Sequence, residues 1–123
     1  NTDSDKQKLS LAAVELAQSL DARCIVVITR RGVMADLVCN CRPVYSDIYA
    51  FTNVSQARRT MVMGRGIRPF RIAFSQDPEK TLQTAFNVLK EREGFQSEEK
   101  VVVISDVLAG SGKIDAIQIR HLP

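Results

Sequence analysis

The sequence predicts an α/β domain of the three-layer α/β/α sandwich type, in which helices cover both faces of a mostly parallel five-stranded sheet that ends in a C-terminal antiparallel hairpin. Two observations predict this fold class. Short, unbroken apolar runs rich in β-branched residues, such as Cys24–Ile28 and Val101–Ser105, are typical of strands buried on both faces. Segments with apolar residues at helical spacing alternate with these runs, as the crossovers between parallel strands require.

Three helices and two strands are predicted in the first half of the chain. The first helix covers about residues 6–20, where apolar side chains recur at helical spacing (Leu9, Ala13, Leu16 and Leu20). After strand Cys24–Ile28, a short helix begins at Val33 and is stopped by Pro43. Residues 48–52 predict the next strand, and residues 55–63 the helix that follows it.

A third parallel strand and a fourth helix are predicted next. Residues 68–74 have strand composition, and Pro69 stands near the start, where a missing amide hydrogen is tolerated. Asp77 and Pro78 open the fourth helix as its cap and its first-turn residue, and Gly94 ends it.

The last two strands are expected to form a hairpin. The first is Val101–Ser105, and the second is marked by Ile114, Ala116, Ile117 and Ile119. Residues 106–113 between them are too few for a helical crossover, so we expect antiparallel pairing. The predicted order of elements is αβαβαβαββ.

The composition fits one folded domain and excludes several classes of function. With 123 residues, of which 45% are hydrophobic and 25% charged, the chain is long enough to close one core and too apolar to be disordered. A formal net charge of +3 is too small for a nucleic-acid protein and suits a small anionic ligand better. No apolar run approaches the roughly 20 residues that span a bilayer. We therefore expect neither a nucleic acid nor a membrane as a partner.

The start of the chain and its cysteines predict a cytoplasmic domain. The first residue is Asn1 rather than Met, and no signal-peptide core follows it, so we expect an intracellular domain cut from a longer chain. The odd set of Cys24, Cys39 and Cys41 argues for a reducing compartment. A closed zinc site needs four ligands, and the single histidine, His121, is distant from the cysteines in the sequence. No metal site is therefore expected.

A first candidate binding segment follows the first predicted strand. Thr29, Arg30, Arg31 and Gly32 lead from a buried strand into a helix, and they offer a hydroxyl group, two guanidinium groups and unpaired backbone amides. Ligands of open parallel sheets bind beyond the carboxyl ends of the strands. The segment is either a phosphate-binding turn or a solvated turn with two exposed arginines, and its spacing alone does not choose between them.

A second candidate segment lies in the predicted hairpin. It consists of Gly110, Ser111, Gly112 and Lys113, whose glycines let backbone amides approach an anion while the lysine adds a positive charge. An ATP-binding P-loop is rejected, because Val107 stands where that motif needs a glycine and the segment leads into a strand. An anion-binding loop and an ordinary hairpin turn both remain open.

No catalytic set is found in the sequence. His121 lies almost at the end of the chain, and no arrangement of Cys, His and carboxylate has the local signature of a nucleophile with its base. The aspartates Asp36, Asp47, Asp106 and Asp115 are scattered. The arginines in the middle of the chain suit a solvated face better than an RNA-binding surface.

Several short motifs, in the same order, resemble the C-terminal domain of pyruvate kinases. Residues 22–32 (ARCIVVITRRG) are similar to the family's opening strand and its Thr-x-x-Gly turn, and the helix that follows ends in Arg-Pro at residues 42–43. Residues 56–59 (QARR) and 65–67 (RGI) resemble the family's next helix and turn. The stretch from Val101 to the C-terminus resembles its closing hairpin with the effector loop.

The resemblance implies that residues 1–123 are one domain of an enzyme that transfers a phosphoryl group from phosphoenolpyruvate to ADP in glycolysis. In this family, catalysis belongs to a barrel domain and a lid domain, which bind magnesium and potassium and are absent from this chain. The chain itself is therefore expected to hold no cofactor and to be catalytically silent. Its expected partners are the catalytic domains of its own enzyme, further copies in a homo-oligomer (a tetramer) and a sugar bisphosphate as allosteric effector.

The resemblance also assigns binding residues by position. One phosphate would face Thr29, Arg30, Arg31, Gly32 and Met34, and the rest of the ligand would face Gly110, Ser111, Gly112 and Lys113. Met34 stands where regulated members usually have a small hydroxyl residue, and Thr81 stands roughly where they have an effector-binding arginine. Either Arg31 and Lys113 compensate with charge, or the site binds a different anion or none.

Other functions compete with this interpretation. The main alternative is a free-standing small-anion-binding module that has reused the domain, and an open reading frame that starts near Asn1 would favour it. A small α/β enzyme is disfavoured because no nucleophile, base or metal set can be assembled. Weak RNA binding ranks last.

Overall fold

Helices and strands alternate along the chain until the last two strands. The computed structural model describes residues 2–41, 43, 46–62, 66–107 and 114–123. The elements are α1 (Thr2–Ser19), β1 (Cys24–Ile28), α2 (Val33–Asn40), β2 (Asp47–Thr52), α3 (Ser55–Val62), β3 (Ile67–Arg71), α4 (Pro78–Arg92), β4 (Lys100–Ser105) and β5 (Ala116–His121).

The described strands form one five-stranded sheet in the order β3-β2-β1-β4-β5. Strand β1 is central and pairs in parallel with β2 on one side and with β4 on the other, so that Ile25 lies beside both Ile48 and Val102. Strand β3 pairs in parallel with β2, and β5 pairs antiparallel with β4. The predicted fold class, including the C-terminal antiparallel hairpin, is confirmed.

Both faces of β1 are buried, as its unbroken apolar sequence requires. Ile25 and Val27 belong to the core that the sheet shares with α1 and α2. Val26 and Ile28 belong to a second core, which the sheet shares with α4. This division follows from right-handed crossovers: the chain moves outward through α2 and α3 on one face, and it returns through α4 on the other.

Several element boundaries differ from the sequence prediction by one or more residues. Helix α1 begins at Thr2 instead of near residue 6. Strands β2 and β4 each begin one residue earlier than predicted, and Ile114, predicted to belong to the last strand, lies before β5. The predicted last residue of α3, Met63, lies outside the described residues. Strand β3 runs over Ile67–Arg71 instead of residues 68–74. It ends early because its partner β2 ends at Thr52, whose carbonyl oxygen accepts the last hydrogen bond, from the amide of Ile72 at 2.8 Å.

Helix α4 has the predicted start and end. The side chain of Asp77 accepts a hydrogen bond from the amide of Glu79 at 3.0 Å, which caps the helix, and Pro78 occupies its first position. At the other end, Gly94 has a positive φ of 73°, and the amide of Phe95 donates to the carbonyl oxygen of Leu89 at 3.1 Å. The helix thus stops where the chain turns back towards β4.

Candidate anion-binding site

The strand order creates a crevice between the ends of β1 and β4. The chain leaves β1 towards β2 and leaves β4 towards β5, so the two connections diverge from neighbouring strands. In open α/β sheets, such a switch point at the carboxyl ends of the strands is where ligands bind. The two candidate segments of the sequence follow β1 and β4, so the topology brings the starts of both connections to this edge.

Internal hydrogen bonds hold the turn after β1. Thr29 is 1% exposed, and its Oγ1 accepts a hydrogen bond from the amide of Gly32 at 3.2 Å. Its own amide donates to the carbonyl oxygen of Phe51 at 3.0 Å, and the hydroxyl group of Thr52 donates to the carbonyl oxygen of Arg30 at 2.7 Å. The buried Thr29 hydroxyl group therefore stabilises the conformation of the turn.

Gly32 is the residue that lets this turn enter α2. It has φ 90° and ψ 0°, in the left-handed region, and it occupies the cap position of the helix without a capping side chain. Its carbonyl oxygen accepts the first bond of the helix, from the amide of Asp36 at 3.0 Å. The first amides of α2 thus point towards the crevice without a side-chain cap, which favours an anion there.

Arg30 and Arg31 are exposed at the same turn. Among the described residues, neither guanidinium group has a recorded ion-pair partner. Two positive charges beside uncapped helix amides are complementary to a phosphate group.

The structure places Met34 differently from the other residues of the first segment. Its side chain is 0% exposed and lies in the core, where the hydroxyl group of Ser10 contacts its sulfur atom at 3.5 Å. The predicted contact between Met34 and a phosphate is therefore restricted to the backbone amide in the first turn of α2. Sequence reasoning missed this because Met34 was assigned by its position in the resemblance, which does not show which way its side chain points.

The second predicted segment, Gly110, Ser111, Gly112 and Lys113, lies outside the described residues. The residues that flank it are described. The amide of Asp106 donates to the carbonyl oxygen of Ile28 at 3.4 Å, so this connection starts directly beside the end of β1.

Lys6 is a residue of this region that sequence reasoning missed. Its Nζ lies 3.3 Å from Oδ2 of Asp106 and 2.9 Å from Oδ1 of Asp115, so it joins the two residues that flank the hairpin connection. Burial would lower the pKa of Lys6, but its hydrogen bonds and charge interactions with the two aspartates raise that pKa overall. Local sequence carries no signal for this contact, because Lys6 and Asp106 are separated by 100 positions.

Two buried acceptors at the carboxyl ends of the parallel strands lack a hydrogen-bond partner among the described residues. They are Oδ1 of Asn53, directly after β2, and Oδ1 of Asp106, directly after β4. Such atoms can accept hydrogen bonds from water or from ligand hydroxyl groups.

Thr81, at the position where regulated family members are expected to have an arginine, is closed off from ligands. It is 2% exposed, its Oγ1 accepts a hydrogen bond from the amide of Ser75 at 2.8 Å, and its hydroxyl group donates to the carbonyl oxygen of Ser75 at 3.3 Å. It stabilises the start of α4.

The described residues contain no group of three or more His, Cys, Asp and Glu side chains that could hold a metal ion. Burial raises the pKa of the Cys41 thiol, which favours its neutral form. His121 is exposed at the end of β5.

The fold and this crevice define an open α/β domain whose ligand site lies where the strand order reverses. Comparison with known proteins then identifies its family. A family model described as "Pyruvate kinase, alpha/beta domain" matches residues 7–120, and the chain belongs to that family.

Individual pyruvate kinases are also similar to this chain in sequence. It is 33% identical over 122 residues to pyruvate kinase isozyme A, chloroplastic, of Nicotiana tabacum. The aligned region covers 99% of this chain and 19% of that protein. It is 28% identical over 113 residues to pyruvate kinase 2 of Synechocystis, and the aligned region covers 91% of this chain and 19% of that protein. The chain thus spans about a fifth of the length of these relatives.

A solved structure shares the fold. Pyruvate kinase of Cryptosporidium parvum in complex with ADP superimposes with a TM-score of 0.85 over 96% of this chain and 24% of that one, at 24% sequence identity. In the part of the chain that is described, no helix is long and apolar enough to cross a membrane. The cytoplasmic location stays a prediction, since the tobacco relative is named chloroplastic.

Proposed function

We propose that this chain is the regulatory and assembly domain of a pyruvate kinase and that its switch-point crevice binds a phosphorylated effector, with a sugar bisphosphate as the favoured class. The observation that carries the proposal is the turn after β1. There, the exposed Arg30 and Arg31 stand beside the uncapped amides of α2, at the edge where the connection after β4 also begins.

Each part of the site has a stated role in this proposal. One phosphate accepts hydrogen bonds from the backbone amides that follow Gly32, and it pairs with the guanidinium groups of Arg30 and Arg31. Lys113 and the amides of residues 110–112 take the rest of the ligand. Thr29 keeps the turn in shape and does not contact the ligand, because its hydroxyl group is buried and bonded to Gly32.

Regulation in this proposal requires the rest of the enzyme. Phosphoryl transfer from phosphoenolpyruvate to ADP takes place in the catalytic domains of the parent pyruvate kinase, and this domain contributes no catalytic residue. An effector changes activity only through different affinities for two states of the assembled enzyme. The chain alone therefore binds the effector without showing regulation.

We further propose that copies of the domain assemble through the β5 edge of the sheet. Among the described strands, β5 has a neighbour, β4, on one side only, and Ile119 on this strand is 48% exposed. Ile114, two residues before the strand, is 54% exposed. An unpaired edge with exposed apolar side chains favours association with another chain.

Effector binding is tested by titrating the chain with a fructose bisphosphate and, separately, with inorganic phosphate while backbone amide NMR shifts are followed. We expect saturable shifts at Gly32 and at residues 110–112, with tighter binding of the bisphosphate. Arg31→Gln weakens binding roughly tenfold, because one charge-assisted hydrogen bond is lost.

The matched control is Arg92→Gln. Arg92 is also exposed, but it lies in the last turn of α4, and this helix leads back to the amino ends of the strands. Its substitution leaves the affinity unchanged. Flat titrations at millimolar ligand, or equal effects of the two substitutions, contradict an effector site and leave the assembly role alone.

A further inference from the structure

One ammonium group holds both ends of the connection between the last two strands. Asp106 directly follows β4, and Asp115 directly precedes β5. Nζ of Lys6, on α1, lies 3.3 Å from the first carboxylate and 2.9 Å from the second. A helix at the start of the chain thus contacts both ends of this connection, next to the last pair of the β4–β5 ladder, Ser105 and Ala116.

The contact is sheltered from solvent. The side chains of Lys6, Asp106 and Asp115 are only 16%, 16% and 23% exposed. Charges that are buried to this extent are screened weakly, and removing one partner leaves the others uncompensated. Among the described residues, Lys6 is the cation recorded within ion-pair distance of these two aspartates. Without it, two carboxylates face each other at the base of the connection.

Helix α1 also contacts α2, the helix that follows the turn after β1. One turn after Lys6, the hydroxyl group of Ser10 donates to the carbonyl oxygen of Lys6 at 2.8 Å and contacts the sulfur atom of Met34 at 3.5 Å. Met34 lies in the first turn of α2. Adjacent turns of α1 therefore contact both the first turn of α2 and the two described ends of the connection after β4.

We propose that Lys6 is a positioning residue, which holds Asp106 and Asp115 together and so fixes the two described ends of the connection after β4 beside helix α1. The consequence for ligand affinity rests on the effector site proposed above. The mechanical link between α1 and the two ends of the connection does not, and it can be measured without a ligand.

The ligand-free test is amide hydrogen exchange at the two ends of the connection. The amide of Val107 donates to Oγ of Ser105 at 3.0 Å, and Ala116 pairs with Ser105 at the last position of the β4–β5 ladder. In Lys6→Met, which keeps most of the apolar stem, we expect exchange at Val107 and Ala116 to be at least about tenfold faster than in the wild type.

The matched control is Lys8→Met, on the same helix. Lys8 is exposed and has no recorded ion pair among the described residues. Its substitution leaves these exchange rates within about twofold of the wild type. Equal rates in Lys6→Met and Lys8→Met overturn the proposal.

A second set of variants separates charge from packing. The triple variant Lys6→Met/Asp106→Asn/Asp115→Asn has no repulsion between carboxylates. We therefore expect it to regain most of the protection from hydrogen exchange that Lys6→Met loses. A purely steric role of Lys6 predicts no such recovery. If Lys6→Met does not fold, Asp115→Asn replaces it, because Lys6 keeps Asp106 as a partner. We then expect a smaller increase in exchange, confined to Asp115 and Ala116, and an unchanged rate overturns the proposal.

The ligand arm uses the fructose bisphosphate and inorganic phosphate titrations described above. We expect Lys6→Met to lower the affinity for the bisphosphate about tenfold. The affinity for inorganic phosphate, which binds at the turn after β1, stays within twofold of the wild-type value. A flat wild-type titration refutes the effector site, and the exchange rates then decide the positioning role on their own. Normal bisphosphate affinity in Lys6→Met, together with faster exchange, refutes the contribution to binding.

Discussion

Gly32 satisfies two separate constraints at the residue scale. Its φ of 90° lies in the left-handed region, which L side chains rarely adopt. A Cβ atom at this position would also lie 3.2 Å from Cγ and 3.5 Å from Sδ of Met61, on α3. The turn after β1 and the packing of α3 therefore both depend on the absence of a side chain here.

We expect Gly32→Ala to lower the free energy of unfolding by about 2–3 kcal/mol. The left-handed conformation costs an alanine about 1–2 kcal/mol, and displacing Met61 adds to it. Gly94→Ala is the matched control, because Gly94 has a similar φ of 73° with nothing within 4 Å of its Cβ position. Urea denaturation gives both values. Equal losses in the two variants would show that the contact with Met61 contributes nothing.

Residue identity predicted the turn better than it predicted side-chain direction. The Thr-x-x-Gly spacing identified the turn at Thr29 and Gly32, because a glycine between a strand and a helix has few other uses. It could not show that the Thr29 hydroxyl and the Met34 side chain point inward. The inward position of Met34 depends on contacts with Ser10 and other residues that come together only in the folded chain, and the amide of Thr29 is held by the carbonyl oxygen of Phe51 on the neighbouring strand.

At the element scale, an ion pair between Arg120 and Glu79 connects β5 to the first turn of α4. Nη1 and Nη2 of Arg120 donate to Oε1 and Oε2 of Glu79 at 2.8 and 2.7 Å, and the guanidinium group also lies 5.9 Å from the centre of the Phe86 ring. The hydrogen bond from Arg120 lowers the pKa of Glu79 below its usual value. The Glu79 side chain is 62% exposed, so solvent weakens the pair.

This pair predicts a pH dependence of stability. Because the pKa of Glu79 is lower in the folded chain, its contribution is present above the unfolded-state pKa and is lost as the pH falls through the folded-state pKa. Glu79→Gln should therefore lower the free energy of unfolding by less than about 1 kcal/mol at neutral pH and low salt. The difference from the wild type should shrink towards zero in acid.

Urea denaturation at a series of pH values measures this difference. Glu91→Gln, on the exposed side of the same helix, serves as the control. A difference between Glu79→Gln and the wild type that does not change with pH would mean that the loss arises from something other than the ion pair.

Sequence patterns predicted elements well where local chemistry decides them. Strand β1 has the predicted bounds because an unbroken β-branched run has few alternatives, and α4 opens at Asp77 and Pro78 because these residues favour a helix start. The end of β3 was predicted too late, because it depends on where its partner β2 stops. The Lys6 contacts depend on residues from opposite ends of the chain, so no local pattern could have predicted them.

At the scale of the whole molecule, the two edges of the sheet differ. The β3 edge carries Pro69, which cannot donate a backbone hydrogen bond, and exposed Arg68 and Arg71. Proline and charge on an edge strand discourage pairing with another chain. The β5 edge has no proline and carries the exposed Ile119. Self-association is therefore expected at β5 rather than at β3.

We expect Ile119→Lys to raise the dissociation constant of self-association at least about tenfold, because a charge would be buried in the interface. Sedimentation over a concentration series measures the constant. Val54→Lys is the control, since Val54 is similarly exposed (41%) but lies after β2, on the other half of the sheet. A wild-type chain that stays monomeric at all concentrations, or equal effects of both substitutions, contradicts assembly through β5.

The central position of β1 has a consequence for how the chain folds. Strand β1 can pair with β2 early, but its other neighbour, β4, comes only after β2, β3 and the crossover helices α2, α3 and α4. Both cores draw residues from β4, so neither can close before that strand arrives. Contacts this distant along the chain slow folding, because the intervening loop must be closed before the contact is made. A ribosome must therefore release β4 before the domain can become stable, and stalled shorter chains should remain sensitive to protease.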